Sequence, residues 1–301
     1  MQSIVAHSGF AVLLGRPSSG KSSLVNALCN HHVSIVSSVP QTTRNVIRGI
    51  YTEDRGQIVF LDTPGVHRSE KKINQRLREV ALEYVPDSEL VVYLVDATRP
   101  AGDEERDLAK VVAGLGSPRI VAITKCDRPE AKTAETRTFL AGQGLSDLPT
   151  VELSGLPEEM KDQRRGVDTL LDLAFPLLPE GPVWYPGDRY TDQDPRFRIA
   201  EIVREQAIAR VRQEIPHALY VEVADLQQKP DTLWARAFLF VERQSQQGIV
   251  VGKKGETITQ IRRDAERRLS EIFPTPVRLS LQVKVRPKWR HNDNLLKRLI
   301  T

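Results

Sequence analysis

The pattern of apolar and polar residues divides the chain into two parts. Up to about residue 178, short apolar runs alternate with amphipathic stretches of helical length. This alternation is typical of an α/β fold, a mainly parallel sheet with helices on both faces, and it places the loops that follow the strands at one sheet edge. Strands are predicted at 10–14, 46–52, 57–61, 90–96, 119–124 and 150–153, and helices at 21–30, 73–84, 103–114, 131–141 and 167–178.

The second part has a different order, which predicts a small α+β module. Apolar residues recur at helical spacing from Ile199 to Val211, and two strands follow at 219–225 and 233–241. An amphipathic helix carries Ile258, Ile261, Ala265, Leu269 and Ile272 on one side. The strand at 277–285 then alternates apolar with polar or basic residues, a period of two.

Charge follows the same division. From Arg196 onward there are 21 Lys and Arg against 12 Asp and Glu, a net charge of +9, whereas residues 1–195 carry −5. A basic module predicts salt-dependent binding to nucleic acid or to an anionic membrane. Because residues 179–195 are rich in Pro, Gly and Asp, we predict a first domain at 1–179, a linker at 180–195 and a second domain at 196–301.

The composition fits a two-domain protein of the cytoplasm. The chain has 301 residues, 40% of them hydrophobic, enough for two cores. No apolar run reaches the length of a membrane span, and the amino terminus lacks the pattern of a signal peptide. Two cysteines provide no disulfide framework, which suits a reducing compartment.

A glycine-rich segment, GRPSSGKS, follows the first predicted strand and fits the phosphate-binding pattern GxxxxGK[ST]. Its backbone N–H groups can converge on phosphates, the Lys21 ammonium can reach the β and γ phosphates, and the Ser22 hydroxyl can bind Mg²⁺. The segment predicts a nucleoside triphosphate site. The candidate nucleotide-binding residues here are Gly15, Arg16, Pro17, Ser18, Ser19, Gly20, Lys21, Ser22 and Ser23.

Two further motifs follow predicted strands in the order that a GTP site requires. In DTPG (Asp62, Thr63, Pro64, Gly65), the carboxylate can hold Mg²⁺ and the glycine N–H can face the γ phosphate. In TKCD (Thr124, Lys125, Cys126, Asp127), the Asp127 carboxylate can accept guanine N1–H and the exocyclic amine. Adenine lacks these donors, so the pattern predicts GTP and GDP with Mg²⁺ rather than ATP.

At these motifs the chain resembles the translation-factor-like GTPases, and more narrowly the Era family of bacterial ribosome-associated GTPases. The resemblance places switch I at PQTTR, from Pro40 to Arg44, where a threonine binds Mg²⁺; Thr43, which directly precedes the arginine, is favoured over Thr42. It also places a guanine-contacting loop at Ser154 and Gly155, where the family usually has alanine at the second position. The expected metal ligands are Ser22, Thr43 and Asp62, and the expected catalytic residues are Lys21, Thr43 and Gly65.

Two departures concern hydrolysis. Val66 follows DTPG where Ras-type GTPases carry a water-orienting glutamine, and Ser18 occupies the position at which some relatives use an asparagine to help hold potassium. An isopropyl group cannot orient water, so we expect slow intrinsic turnover. Because Ser18 replaces the asparagine that helps to hold potassium in those relatives, we expect weak activation by potassium.

In the second part, Gly252, Lys253, Lys254 and Gly255 precede the long amphipathic helix, and the order of elements resembles the KH domain of Era proteins. The GxxG loop of KH domains clamps about four nucleotides of a single strand. A second basic cluster contains Trp289, which either stacks on a base or packs against the domain. The expected RNA-binding residues are Gly252, Lys253, Lys254, Gly255, Arg262, Lys284, Arg286, Lys288, Trp289 and Arg290.

The resemblance spans about residues 8–300 and implies a GTPase that binds single-stranded ribosomal RNA at the 3′ end of the small-subunit RNA and assists assembly of the small ribosomal subunit. It implies a monomer in the cytoplasm, with possible peripheral contact with the membrane. Two alternatives stay open from the residues: an RNA-binding module with a structural nucleotide, and a GTPase whose basic face meets an anionic membrane.

Overall fold

A six-stranded sheet organises the first part of the chain in the computed structural model, which describes residues 6–67 and 71–300. Its strand order is β2-β3-β1-β4-β5-β6; β2 is antiparallel to β3, and all other neighbours are parallel. The predicted α/β fold is therefore confirmed. The strands are β1 (His7–Gly15), β2 (Ile47–Glu53), β3 (Gly56–Asp62), β4 (Leu90–Asp96), β5 (Arg119–Thr124) and β6 (Thr150–Glu152), and the helices are α1 (Lys21–Cys29), α2 (Lys72–Glu83), α3 (Asp103–Ala113), α4 (Thr133–Gly142) and α5 (Val167–Ala174).

The central strands of this sheet are buried on both faces. Every residue of β3 and of β4 is buried, which explains why these strands read as continuous apolar runs rather than as alternating patterns. A parallel strand can be followed by another only through a crossover, so the loops after β1, β3, β4, β5 and β6 emerge at one edge. The nucleotide motifs lie in those loops.

A three-stranded sheet with strand order β7-β8-β9 forms the second part. β7 and β8 are antiparallel, and β8 and β9 are parallel. The core face of the sheet packs against α6 and α9 through buried residues such as Ile202, Leu239 and Leu269. The elements are α6 (Pro195–Arg210), α7 (Ile215–Ala218), β7 (Tyr220–Lys229), β8 (Thr232–Val241), α8 (Gln244–Val251), α9 (Glu256–Ile272), β9 (Val277–Val285) and α10 (Asp293–Leu299).

The chain divides into two compact units, and the division differs from the sequence prediction in one segment. Among described residues, the first unit contains those up to Ser34, Thr43–Asp192 and those from Leu299; the second contains Ile35–Thr42 and Gln193–Arg298. The main division, after Asp192, falls inside the predicted linker. The grouping of Ile35–Thr42 with the second unit has no signal in the sequence pattern.

Most of the predicted linker is bound to the first unit. The N–H groups of Trp184 and Tyr185 both donate to Gln57 Oε1 at 2.9 Å, and the Ile50 N–H donates to the Tyr190 carbonyl at 2.9 Å. Gln57 is fully buried, so these bonds form away from water. The residues before Asp192 are therefore part of the first unit.

Candidate nucleotide and RNA sites

The loop between β1 and α1 has a backbone that only small residues permit. A Cβ on Gly15 would lie 2.4 Å from Ser19 Oγ and 2.7 Å from the Leu94 carbonyl. Gly20 has φ +98°, in the left-handed region that favours glycine, and Ser18 also has a positive φ of 63°. The loop therefore turns sharply and directs the first N–H groups of α1 towards its concave side.

Lys21 lies inside this loop. Its side chain is buried, and Nζ donates to the carbonyls of Gly15 and Arg16, each at 3.0 Å. Burial lowers its pKa to about 8, although Asp62 and Glu105 oppose that shift. The ammonium is thus held against the loop with few compensating charges, as expected of a group that meets phosphate.

The three predicted metal ligands are suited to Mg²⁺. Both carboxylate oxygens of Asp62 are buried and make no hydrogen bond with the described residues. Burial raises the pKa of Asp62, against the effects of Lys21 and of the neighbouring Ser22 and Ser34 hydroxyls. Ser22 Oγ lies 2.8 Å from Thr43 Oγ1, whereas the Thr42 hydroxyl donates to the Val39 carbonyl at 2.6 Å. An unpaired buried carboxylate beside two hydroxyls fits a hard divalent cation, and the geometry favours Thr43 over Thr42.

The DTPG loop contacts the phosphate loop directly. A Cβ on Gly65 would lie 2.5 Å from the backbone N and Cα of Pro17, so only glycine fits. The Val66 N–H donates to the Gly15 carbonyl at 3.1 Å, and its side chain is buried in the core. Val66 therefore presents no polar group to a reacting water.

A small cavity of about 70 Å³ lies beside the phosphate loop, and its lining includes Asp127, Ser154 and Gly155, which were predicted to contact the base. Asp127 Oδ1 accepts the Gly155 N–H at 3.3 Å, so the carboxylate and the loop after β6 converge on one place. Gly155 has φ +62°, and a Cβ there would lie 2.6 Å from the Gln163 carbonyl group. The departure from the family's alanine has a steric reason in this chain. The lining residues are Gly20, Ser23, Lys125, Asp127, Arg128, Ser154, Gly155, Leu156 and Pro157.

Two residues of the TKCD motif hold loops together. Lys125 Nζ lies 2.6 Å from Asp96 Oδ2, and Thr124 Oγ1 donates to the Ser19 carbonyl at 2.8 Å. Burial alone would raise the pKa of Asp96, but the hydrogen bonds from Lys125 and Thr98 outweigh it and hold the pKa low. Asp96 was not among the residues predicted from the sequence, although its place at the end of an apolar strand was an available signal.

The Arg16 side chain points away from the phosphate loop, for which only backbone contacts to phosphate were predicted. Its guanidinium forms an ion pair with Glu105, which also accepts the Tyr93 hydroxyl at 2.5 Å, and all three residues are buried. Only the backbone of Arg16 therefore remains to contact phosphate. Arg99 also donates to the Pro17 carbonyl, at 3.0 Å. These contacts together hold the phosphate loop in place.

In the second unit, the predicted GxxG loop joins α8 to α9 and exposes two lysines. Lys253 and Lys254 are both exposed, and Lys254 has φ +52°. Gly252 has φ +75°, and a Cβ there would lie 2.2 Å from Thr257 Oγ1; Gly255 has φ +80° in open space. The loop thus presents two ammonium groups on a backbone that glycine makes possible. Beside it, Ile249 is 54% exposed, an apolar surface that the sequence analysis did not single out.

Most side chains of the second basic cluster contact other residues of the protein. The cluster consists of Lys284, Arg286, Lys288, Trp289 and Arg290. Of the two roles left open for Trp289, packing against the domain is the one observed, and its assignment as an RNA-binding residue is wrong. Its ring is 1% exposed, and Nε1 donates to the Ala218 carbonyl at 2.8 Å, so it packs against the domain and cannot stack on a base. Arg290 pairs with Glu242 at 2.5 Å, and Arg262 pairs with Glu266 at 3.2 Å. Arg286 donates to the Tyr220 hydroxyl at 3.1 Å, Lys284 Nζ lies 3.3 Å from the Phe238 ring centroid, and Lys288 is exposed.

Within 6–67 and 71–300, no helix is long and apolar enough to cross a membrane. The same residues contain no group of three or more His, Cys, Asp or Glu side chains placed to hold a metal ion. The metal site described above has a different composition, one carboxylate with two hydroxyls.

Comparisons with known proteins agree with this geometry. The model of the 50S ribosome-binding GTPase family matches residues 10–125, and the KH domain model matches 214–290. GTPase Era of Treponema denticola is 44% identical, and that of Borreliella burgdorferi 40%; each alignment covers 97% of this chain and 99% of the relative.

Two solved structures are similar along the whole length. A single-residue variant of Aquifex aeolicus Era, bound to GDP·AlF₄⁻, has a TM-score of 0.89 at 28% identity; the match covers 97% of this chain and 98% of that one. Era in complex with MgGDPNP and nucleotides 1506–1542 of 16S ribosomal RNA has a TM-score of 0.89 at 29% identity and covers 98% of both chains. On the identity and coverage of these relatives, this chain belongs to the Era family of GTPases.

Proposed function

We propose that this GTPase binds GTP and GDP with Mg²⁺ in its first unit and uses the nucleotide to control binding of single-stranded ribosomal RNA by its second unit. The observation that carries the proposal is the presence of three features in one chain. They are a cavity lined by the base-binding loops, the buried Asp62 carboxylate beside the phosphate loop, and an exposed GKKG loop. A related Era structure contains MgGDPNP and a 16S ribosomal RNA fragment. We infer the same ligand classes here.

In the nucleotide site, Ser22, Thr43 and Asp62 would hold Mg²⁺, which when bound neutralises charge on the β and γ phosphates. Lys21 would leave its loop carbonyls for phosphate oxygens, and the Gly65 N–H would face the γ phosphate. Lys125 is positioned by Asp96, and Asp127 selects the base. Since Val66 offers no hydrogen bond to water, hydrolysis by the chain alone is slow.

Thr43 provides a route from nucleotide to RNA. It directly follows Ile35–Thr42, the segment that belongs to the second unit. There the Val36 N–H donates to Glu205 Oε1 at 2.8 Å, and Arg204 Nη2 donates to the Thr42 carbonyl at 2.6 Å. A ligand that binds Thr43 would therefore act on a segment held by α6, the first helix of the second unit.

The biological setting that we propose is assembly of the small ribosomal subunit in the cytoplasm, with the 3′ end of its RNA as the target. Crosslinking in cells, followed by sequencing of the bound RNA, tests this. We expect reads concentrated at the 3′ end of small-subunit RNA, and their loss on Lys253→Asp with Lys254→Asp. Reads spread evenly over cellular RNA would contradict the target.

Anionic membrane is the second candidate partner, favoured only by the net charge of +9 after residue 195. Cosedimentation with phosphatidylglycerol vesicles, compared with binding to short single-stranded RNA, separates the two. Because the exposed lysines lie in a tight GxxG loop that suits a backbone of phosphates, we expect RNA to be preferred.

Base selection gives a further prediction. In Asp127→Asn, an NH₂ group replaces one of the two carboxylate oxygens. This group is a donor, and it would face the exocyclic amine of guanine, which is also a donor. A hydrogen bond to a charged group contributes about 1.5–3 kcal/mol, so the loss of the bond to the amine should lower GTP affinity roughly 10- to 150-fold. Xanthosine triphosphate, with a carbonyl in place of that amine, should bind the variant better than GTP does. Fluorescent nucleotide titration measures both, with exposed Asp87→Asn as the control; unchanged GTP preference in Asp127→Asn would refute the assignment.

A further inference from the structure

The three-stranded sheet of the second unit has an outer face with an unusual composition. The core side of β8 carries Ala235, Ala237 and Leu239, all fully buried. The outer side carries Trp234, Arg236, Phe238 and Phe240; the arginine is exposed and the three aromatic rings are partly exposed. An outer face is ordinarily polar, so a row of three aromatic residues there requires a reason.

The chain's own carboxyl-terminal segment covers one end of this face. Phe240 stacks on Tyr220 with centroids 4.7 Å apart, and the buried Trp289 meets Tyr220 edge-on at 4.8 Å. Arg286 donates to the Tyr220 hydroxyl, and Arg298 pairs with Glu222 of β7. Phe240 is therefore accounted for by packing, whereas Trp234 and Phe238 lie towards the other end.

The uncovered end is basic as well as aromatic. In the parallel register of β8 with β9, Trp234 lies opposite Arg278, and Phe238 lies opposite Gln282. Within the described part of the chain, the side chains of Arg236 and Arg278 form no ion pair or hydrogen bond. Lys284 Nζ lies 3.3 Å from the Phe238 ring centroid, and Lys229 Nζ lies 5.7 Å from that of Trp234.

The acidic residues on this face do not neutralise it. Glu222 is paired with Arg298, and Asp225, opposite Arg236 in the register, accepts a hydrogen bond from Gln227 at 2.9 Å. Four cationic side chains thus lie on or beside the rings of Trp234 and Phe238, namely Lys229, Arg236, Arg278 and Lys284, against Asp225 and, in the β7–β8 turn, Asp231. Such a surface attracts an anion.

The basic surface continues around the edge of the sheet. Arg278 also lines a cavity of about 230 Å³ together with Arg263, Arg267 and Ser270. The Glu266 carboxylate in that cavity already has partners, since it accepts the Leu279 N–H at 2.8 Å and pairs with Arg262. Arg267 is 76% exposed and pairs at 3.3 Å with Asp264, an acid that it shares with Arg210.

We infer that the outer face of this sheet is a second binding surface for single-stranded RNA, separate from the GKKG loop. Trp234 forms its stacking platform, and Arg236, Arg278 and the Lys284 ammonium that lies over the Phe238 ring bind the phosphates. A partly exposed tryptophan ring between guanidinium groups matches the chemistry of unpaired bases joined by phosphates. The GKKG loop belongs to the helical layer on the opposite side of the sheet. The edge strand β9 is the one that contacts this layer beside the loop, since the Gln247 amide of α8 donates to the Val283 carbonyl at 2.8 Å.

The inference extends the proposed RNA binding and predicts that the contribution of the second surface depends on RNA length. The test uses the full chain, an unstructured 6-nucleotide RNA and an unstructured 20-nucleotide RNA, in fluorescence anisotropy at several salt concentrations. The variant is Trp234→Ala with Arg236→Gln and Arg278→Gln. The control is Trp184→Ala with Arg196→Gln and Arg212→Gln, which removes one exposed tryptophan and two exposed arginines elsewhere.

We expect the variant to bind the 20-nucleotide RNA at least tenfold more weakly, since it loses a base-stacking ring together with two phosphate contacts. Its salt slope for that RNA should fall by about 1.4, the value for two phosphate contacts on a single strand. Binding of the 6-nucleotide RNA through the GKKG loop should be unchanged, which also shows that the variant is folded.

Three outcomes would overturn the inference: unchanged binding of the 20-nucleotide RNA, equal loss for both RNAs in a variant with native circular dichroism, or loss of binding to phosphatidylglycerol vesicles but not to RNA. Failure of the GKKG assignment has a different signature. In that case Lys253→Asp with Lys254→Asp leaves binding of the 6-nucleotide RNA intact, whatever the outer-face variant does.

Discussion

Replacing Lys21 with alanine should abolish multiple-turnover GTP hydrolysis while the protein remains folded. The ammonium is the charge closest to where the β and γ phosphates are expected, and removing one such electrostatic contact typically costs about 10²- to 10³-fold in rate. Burial already lowers the pKa of this lysine to about 8, so the charged form is poorly solvated in the free protein. Its removal relieves that cost, and unfolding should be little affected.

Phosphate release under excess GTP measures the rate, and urea denaturation measures the free energy of unfolding. The matched control is Lys110→Ala, an exposed lysine on α3 of the same unit, which should hydrolyse GTP at the parent rate. Hydrolysis by Lys21→Ala at more than a tenth of the parent rate would show that the phosphate loop has been assigned wrongly.

Reversing the charge of Lys253 and Lys254 with aspartate should eliminate binding to short single-stranded RNA and leave GTP affinity unchanged. Both side chains are exposed, so the substitutions disturb no packing. The change replaces two attractions to phosphate with two repulsions, and binding through phosphate contacts depends strongly on charge. We expect at least a hundredfold loss, measured by anisotropy with a 6-nucleotide RNA.

The control for this variant is Arg106→Asp with Lys110→Asp, which makes the same change in net charge on exposed positions of α3. It separates a local contact from a general electrostatic effect, since the whole-protein charge is identical in both variants. Equal losses in the two would mean that net charge, and not the GKKG loop, governs RNA binding. Loss of GTP binding along with RNA binding would instead indicate misfolding.

The elements of the first unit could be predicted because their signals are local. Strands buried on both faces, such as β4, produce apolar runs, and the phosphate loop has residue requirements that follow from backbone geometry at Gly15 and Gly20. In the second unit, the alternation along β9 and the helical stripe of α9 were equally clear. α8 was missed because its first four residues are polar and give no periodic apolar signal.

Features that depend on distant contacts were beyond the sequence. The pairing of Arg16 with Glu105 and Tyr93 joins three elements far apart in the chain, and nothing in the phosphate-loop pattern indicates where a variable side chain points. Trp289 illustrates the same limit. A tryptophan among basic residues resembles a base-stacking site, and only the contact with Ala218 identifies it as a core residue.

The central claim is that the third phosphate of GTP is sensed through Thr43 and changes RNA affinity. Its most direct test is the dissociation constant for a single-stranded RNA from the 3′ end of small-subunit RNA, measured once with saturating GDP and once with a non-hydrolysable GTP analogue. We predict constants that differ by at least about fivefold, with the ratio of analogue to GDP affinity changing by the same factor when RNA is bound. Identical RNA affinities in the two nucleotide states would contradict the account.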